Sequence, residues 1–107
     1  AAFCHQLNIY CNEAISTLSY VIELDPNNGK SYYNRGNCKN TTGHFSDAIL
    51  DLNIAIKKYP NKHNYYMSRS FAYLQLGDKE MACKDMKKAA ELNSPTANKK
   101  LLEYECQ

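Results

Sequence analysis

The sequence contains no long apolar run. None of its uninterrupted apolar stretches approaches the roughly 18 residues that a membrane-spanning helix needs. The N-terminus also lacks the charged, apolar and small-residue regions that follow one another in a signal peptide. We therefore expect a soluble protein without a membrane span, and the cysteines described below favour an intracellular location. The sequence starts without Met, so a targeting segment upstream is not excluded.

An excess of one charge is also missing. The 107 residues include 13 Lys and Arg against 11 Asp and Glu, which gives a formal net charge of +2. The densest basic spots, Lys57-Lys58 and Lys87-Lys88, are pairs and not a stripe. Nucleic acid binding needs a concentrated basic surface, so we do not expect a nucleic acid partner. The apolar content of 44% is ordinary for a single folded domain.

Motifs of catalysis and metal binding are absent. The sequence has no CxxC pair, no HExxH motif, no glycine-rich phosphate loop and no nucleophile elbow. Asp47 and Asp51 are predicted one turn apart on the outward face of a helix, where nothing would adapt them to proton transfer. We therefore predict that the chain is not an enzyme, and that it has no cofactor and no metal site.

The cysteines do not form a disulfide framework. Their number is odd and their spacing irregular, unlike the even sets of small secreted domains. They are Cys4, Cys11, Cys38, Cys83 and Cys106. Reduced thiols are the interpretation we prefer. Cys38 and Cys83 are predicted to be buried and unbonded, because they match small or aliphatic residues in the repeat described next.

A repeat of 34 residues runs through the chain. Ala14, Ala48 and Ala82 recur at this spacing. In the same frame follow Ile15, Ile49 and Cys83; Leu18, Leu52 and Met86; and Val21, Ala55 and Ala89. Pairs such as Arg35 with Arg69 and Gly43 with Gly77 extend the match over nearly the whole unit. Self-similarity of this kind indicates stacked supersecondary units.

The repeat resembles the tetratricopeptide repeat family in its period and in its small residues. Residues 29–62 are the best copy, GKSYYNRGNCKNTTGHFSDAILDLNIAIKKYPNK, with Gly36, Ala48, Ala55 and Pro60 at the family's small and proline positions. Residues 63–96 form a second copy, and residues 1–28 a partial one. The resemblance implies an all-α, right-handed alpha-alpha superhelix that fills residues 1–107 as a single domain.

This resemblance predicts seven helices. Six pair as three antiparallel hairpins, of which the first is incomplete, and a seventh over residues 95–106 caps the stack after the N-cap Ser94. Residues 46–59 and 79–92 are predicted second helices. Ile9 stands where Gly43 and Gly77 stand, so Asn8 is the candidate for the first inter-helix turn.

In the family, the first helix of each repeat lines a concave groove that receives a segment of a partner protein. The matching positions here are Lys30, Tyr33, Asn37, Asn40, Asn64, Met67, Phe71 and Leu74, and Phe3 and Gln6 extend them. We expect the asparagines to bind a peptide backbone, with Asn40 near the rim. Tyr33, Met67 and Phe71 are expected to form one apolar pocket.

The resemblance names no partner. Co-chaperones of the family hold a C-terminal carboxylate with Lys, Asn and Arg, and Asn34 matches one such asparagine. Asn64 and Ser68 stand at the Lys and Arg positions, so that site is incomplete. The leading hypothesis is a non-catalytic scaffold for a protein or peptide partner. The alternative is self-association, or a place within a longer array, through the partial repeat around Phe3 and Leu7.

Overall fold

The computed structural model describes the backbone of residues 2–107 and the side chains from Asn8 onward. Within this part of the chain there are six helices and no strand. The helices are α1 (Ala2–Leu24), α2 (Gly29–Thr41), α3 (Phe45–Lys58), α4 (His63–Gln75), α5 (Lys79–Glu91) and α6 (Ala97–Glu103). Consecutive helices pack on one another along the chain, and α2 also contacts α4. The predicted all-α helical repeat is confirmed.

Two helical hairpins, α2 with α3 and α4 with α5, correspond to the two full copies of the repeat. Gly43 and Gly77 form their turns with φ angles of +86° and +81°, which a side chain would strain. The Asp78 carboxylate begins α5 by accepting the Met81 N–H at 3.1 Å. The predicted second helices at 46–59 and 79–92 lie within a residue of α3 and α5.

The predicted first hairpin is wrong. Asn8 and Ile9 lie inside α1, which continues without a turn as one helix of 23 residues. Ile9 is β-branched and cannot take the positive φ that Gly43 and Gly77 adopt. No Gly or Pro occurs before Pro26, so nothing in the sequence interrupts the hydrogen-bond ladder.

The last helix is shorter than predicted. It spans Ala97–Glu103 instead of 95–106, and its N-cap is Thr96, not Ser94. The Ser94 hydroxyl accepts the Thr96 N–H at 3.4 Å and so shapes the preceding turn. Leu102 is 82% exposed, whereas Ala97 is completely buried. The helix therefore packs on α5 mainly through its first turn.

Small residues let the helices approach closely. Ala48, Ala55, Ala82 and Ala89 are completely buried. A Cβ added at Gly36 would lie 3.0 Å from the Leu52 Cγ, tighter than ordinary contact. These positions therefore explain the repeat's small residues as packing, since a larger side chain would overfill the joint.

One buried arginine–aspartate ion pair joins the two helices of each hairpin. The Arg35 guanidinium donates to both carboxylate oxygens of Asp51 at 2.8 and 2.7 Å. Arg69 does the same to Asp85 at 2.9 and 2.6 Å. Asp51 is only 3% exposed, so the prediction that it faces outward is wrong. The hydrogen bond to Asp51 raises the pKa of Arg35 above its ordinary value.

The same two arginines connect successive repeats. The Arg35 Nη1 donates to the Ser19 hydroxyl at 3.1 Å, and the Arg69 Nη1 donates to the Asn53 side-chain oxygen at 2.9 Å. Ser19 and Asn53 belong to the repeat before each arginine. Each arginine therefore donates from Nε and Nη2 to an aspartate of its own hairpin, and from Nη1 to a polar side chain of the previous repeat.

The prediction of unbonded thiols holds for Cys38 and is wrong for Cys83. Cys38 is buried and free, as is Cys11. Cys83 forms a disulfide with Cys106, with their Cα atoms 5.5 Å apart. Cys83 is only half-buried, like Ile15 and Ile49 at the same repeat position, and it faces the chain that follows α6. That contact depends on where α6 ends, which the repeat pattern does not specify.

Candidate peptide-binding groove

The predicted groove residues lie along facing sides of α2 and α4. On each helix they recur at intervals of three or four residues, which places them on one face. All eight line one of three clefts that follow this face. The clefts are the tyrosine cleft at the first turns of the two helices, the central cleft, and the cap cleft next to α6.

The tyrosine cleft has a volume of about 460 Å³. It is lined by Lys30, Tyr33, Tyr59, Lys62, Asn64 and Tyr65. The rings of Tyr33 and Tyr65 stack with their centroids 4.3 Å apart, and the Asn64 Nδ2 donates to the Tyr33 hydroxyl at 3.3 Å. These contacts join α2 to α4 and hold the wall of the cleft in place.

The electrostatic character of the tyrosine cleft is positive. Lys30 and Lys62 are exposed, and no Asp or Glu lines the cleft. Burial raises the pKa of Tyr65 above its ordinary value, and the neighbouring Tyr33 and Tyr59 add to the effect. The Tyr65 hydroxyl therefore stays protonated and is available as a hydrogen-bond donor.

The central cleft is neutral and has a volume of about 380 Å³. It is lined by Asn37, Asn40, Thr41, Met67, Ser68 and Phe71. Phe71 is 45% exposed and touches Phe45 edge-to-face, with the centroids 6.1 Å apart. Exposed apolar area beside side-chain amides is what an extended peptide can use.

Asn40 does not lie at the rim, as predicted, but is 8% exposed. Its Nδ2 donates to the Ser68 carbonyl at 3.1 Å, which ties α2 to α4. Its buried Oδ1 has no partner within the described residues. The Asn40 side-chain amide therefore connects the two repeats. Asn37 is the more accessible asparagine of the central cleft.

The cap cleft is small, about 90 Å³, and lies against α6. It is lined by Met67, Ser70, Phe71, Leu74, Met86, Lys100 and Tyr104. Met67 and Phe71 belong to both this cleft and the central one. Tyr33 belongs to neither, so the structure divides the predicted pocket of Tyr33, Met67 and Phe71 between separate clefts.

A further cleft of about 600 Å³ lies between α1 and α2. It is lined by Tyr10, Glu13, Ala14, Thr17, Leu18, Asn34, Asn37 and Cys38. Asn34, the residue that resembles the co-chaperone asparagine, therefore faces an acidic residue of α1. Phe3 and Gln6, the predicted extension of the groove, lie outside the residues whose side chains are described.

Three lining residues were not predicted from the sequence. They are Tyr59, Lys62 and Tyr65. Tyr65 occupies the repeat position of Ser31, while its stacking partner Tyr33 occupies that of Met67. Comparison of repeats cannot find a pair formed by different positions. The available signal was composition, because nine of the 107 residues are tyrosine.

Other kinds of site find no support in the described part of the chain. No three His, Cys, Asp or Glu side chains from Asn8 onward come together as metal ligands would. No helix among α1 to α6 is long and apolar enough to cross a membrane. The groove is the feature that remains to be explained.

Comparison with known families supports this architecture. Models described as tetratricopeptide repeat match residues 17–49 and 63–96, which together make up more than half of the chain. The chain belongs to the tetratricopeptide repeat family. The family is one of protein-interaction scaffolds, and in that general sense this chain is a scaffold module.

Individual relatives agree with this assignment. Heat shock protein STI1 of Saccharomyces cerevisiae is 34% identical over 84 residues, which cover 78% of this chain and 14% of STI1. Two solved structures of MamA, AMB-1 and MSR-1, superpose with TM-scores of 0.75 and 0.76 at 31% and 30% identity. They match 78% and 82% of this chain and 50% of each MamA chain. The chain thus spans a small part of STI1 and about half of MamA.

Proposed function

We propose that this module is non-catalytic and binds an extended segment of a partner protein along the face formed by α2 and α4. The observation that carries the proposal is that the tyrosine, central and cap clefts are lined, between them, by all eight groove residues expected from the sequence. Phe71, 45% exposed in the middle, supplies apolar area that no other part of the described chain covers. Buried aromatic anchors dominate the free energy of binding in most interfaces.

The dimensions of the face suit a short segment. Lys30 to Asn40 spans ten residues of helix, or about 15 Å at the usual helical rise. An extended chain covers this length in about four or five residues. Asn37 and Asn64 each carry a donor and an acceptor and are therefore suited to a peptide backbone, while Met67 and Phe71 are suited to an apolar side chain.

The test compares groove and outer-face truncations of similar size. Phe71→Ala and Tyr33→Ala should each cost about 1–3 kcal/mol of affinity for a captured segment. Leu50→Ala is the matched control, because Leu50 is 62% exposed on α3 and lines none of the clefts. Asp51, which sequence reasoning places on the outer face, is unsuitable because it is buried. Binding is measured by pull-down and fluorescence anisotropy.

Stability is measured alongside, because Phe71 contacts Phe45 and Tyr33 stacks on Tyr65. Thermal unfolding of each variant separates lost binding from lost folding. If folded Phe71→Ala and Tyr33→Ala both retain every partner as well as Leu50→Ala does, the groove is not the binding site.

Self-association is a second candidate, favoured by the exposed apolar residues Ile9 and Tyr10, which are 47% and 65% exposed on α1. Phe3 and Leu7, on which the sequence-based hypothesis rested, lie outside the described side chains. Sedimentation velocity over a range of concentrations distinguishes the two functions. Self-association through α1 predicts a concentration-dependent mass that Tyr10→Ser lowers, whereas a concentration-independent monomer would exclude it.

A further inference from the structure

The tyrosine cleft contains three tyrosine hydroxyls that donate to no group within the described chain. Within the described chain the hydroxyls of Tyr59 and Tyr65 have no hydrogen-bond partner, although Tyr65 is only 4% exposed. The Tyr33 hydroxyl accepts from Asn64 and keeps its own proton for another group. Three tyrosine hydroxyls that can donate therefore line one cleft, and the buried ring of Tyr65 fixes the position of one of them.

The two lysines of the cleft are also without acidic partners. Lys39, Lys88 and Lys100 form ion pairs elsewhere in the protein. Lys30 and Lys62 form none with the carboxylates from Asn8 onward, and no acid lines the cleft. A group that accepts hydrogen bonds and bears negative charge would match all five donors.

Resting on the proposed function, we infer that the tyrosine cleft binds an Asp or Glu side chain of the partner segment. The carboxylate accepts from the tyrosine hydroxyls and pairs with Lys30 and Lys62. The neutral central cleft and the mostly apolar cap cleft then take the uncharged part of the segment. Lys100, which lines the cap cleft, is paired with Glu103. The unpaired positive charge of the face therefore lies in the tyrosine cleft, and the acidic residue fixes the direction in which the segment lies.

A carboxylate fits the cleft better than a phosphate. Phosphate recognition favours the planar, bidentate guanidinium of arginine. Arg35 and Arg69 are the two arginines of the sequence, and both are held by buried aspartates outside this cleft. The subsite is also separate from Asn34, which lines the cleft beside α1.

The experiment selects binders from a displayed library of random ten-residue peptides with the full chain. The selected peptides should share an acidic residue at one end and apolar residues after it. For one such peptide, Glu→Gln at that position should weaken binding about tenfold, as expected for loss of a charged hydrogen-bonded contact. Chemical-shift changes should include the Tyr65 ring for the Glu peptide.

Two sets of protein variants assign the effect to the cleft. Lys30→Gln with Lys62→Gln should weaken the Glu peptide about tenfold and leave the Gln peptide unchanged, as a double-mutant cycle requires. Tyr65→Phe, which removes only the hydroxyl, should weaken the Glu peptide about threefold. Lys57→Gln with Lys99→Gln changes the net charge equally at exposed positions outside the clefts, and should have no such effect.

The outcomes separate this inference from the proposed function. If selected peptides show no acidic preference, or the lysine variants bind the Glu and Gln peptides with an unchanged ratio, while Phe71→Ala loses binding, the subsite is wrong and the groove stands. If no peptide is enriched, or folded Phe71→Ala and Tyr33→Ala both bind normally, the subsite and the groove are both overturned. Binding that becomes tenfold tighter when phosphoserine replaces Glu would overturn the assignment to a carboxylate.

Discussion

At the scale of single residues, the thiol of Cys38 illustrates what burial does to reactivity. Burial, together with the hydrogen bond and charge of the neighbouring Cys11, raises the pKa of Cys38 to about 12 from an ordinary 9.0. The thiolate is the nucleophile, so alkylation at pH 8 should be about 1000-fold slower than for a thiol of ordinary pKa. Asn34→Cys, exposed on the same helix, is the control. Similar labelling rates at the two positions would contradict the prediction.

The same shift gives a pH dependence of stability. A raised pKa means that the folded state favours the neutral thiol. The contribution of the Cys38 thiol to the free energy of unfolding is therefore complete below about pH 9 and is lost as the pH rises towards 12. We expect the free energy of unfolding to fall over this range. It should fall less in Cys38→Ala, which carries the side chain that Ala72 has at this repeat position. Urea titrations from pH 7 to 11 measure both.

The Arg69–Asp85 pair makes the third prediction at this scale. The side chain of Asp85 is 4% exposed, and removing one partner leaves a buried charge without compensation. Arg69→Ala or Asp85→Ala should therefore lower the free energy of unfolding by about 3 kcal/mol. Asp47→Ala on exposed α3 surface should change it by less than about 0.5 kcal/mol. An Asp85→Ala variant as stable as Asp47→Ala, by urea denaturation, would show that the pair contributes little.

Residues with a local cause were predictable from the sequence. Gly43 and Gly77 adopt a positive φ, and Asp78 caps the helix that follows it. The turns and the cap depend only on residues that are close in the sequence. Asp51 was misplaced because its partner Arg35 lies 16 residues earlier, beyond the reach of a helix-face argument. The recurrence of this arginine and aspartate at Arg69 and Asp85 is the signal that identifies such a pair.

At the scale of helices, the two ends of the chain depart from the repeat. Family spacing predicts a turn near Ile9, but the turn depends on a glycine that the first copy lacks, and α1 is therefore continuous. Family spacing predicts α3 and α5 to within a residue, and each of these helices follows a glycine with positive φ, Gly43 or Gly77. Helix boundaries thus follow local chemistry where the two disagree.

The disulfide between Cys83 and Cys106 fastens the chain after α6 to α5. It closes a loop with a sequence separation of 23, and a loop of that size limits the unfolded chain enough to stabilise the fold by about 3 kcal/mol. Cys106→Ser should therefore lower the melting temperature, and reduction of the wild type should lower it by a similar amount. Cys38→Ser is unsuitable as a control because it is buried; Ser46→Ala on the exposed face of α3 serves instead.

A reductant supplies the internal check. Since Cys106→Ser already lacks the bond, its melting temperature should not respond to reductant. If reduction leaves the wild type unchanged, the bond contributes nothing to stability. If it destabilises the variant equally, the effect arises elsewhere.

At the scale of the whole molecule, the groove shows how far repeat comparison extends. The positions of Lys30, Asn37, Met67 and Phe71 follow from the family frame. The tyrosine cleft does not, because Tyr33 and Tyr65 come from different repeat positions and meet only when α2 packs on α4. The repeats resemble one another in sequence, whereas the tyrosine cleft depends on the contact between α2 of one repeat and α4 of the next.

Burial is concentrated in the middle of the stack. Ala48, Leu52, Ala72, Ala82 and Met86, in α3 to α5, are at most 1% exposed. From Asn8 onward α1 buries only Cys11, and α6 buries only Ala97. Each helix contacts mainly its neighbours, so stability is a sum of local and nearest-neighbour contributions. The ends should therefore open at lower free energy than the centre.

Native-state hydrogen exchange tests this gradient residue by residue. We expect the slowest amides in α3, α4 and α5, and faster exchange in α6 and in residues 8–24 of α1, because few buried contacts must break before those amides reach water. Cys106→Ser should accelerate exchange further in α6 while α3, three helix joints away, keeps its protection. Asp85→Ala should instead lower protection in both α4 and α5, since its carboxylate joins them through Arg69. Equal protection from α1 to α6, or an equal loss in every helix after Cys106→Ser, would mean that the chain unfolds only as a whole and that its repeats are not separable units of stability.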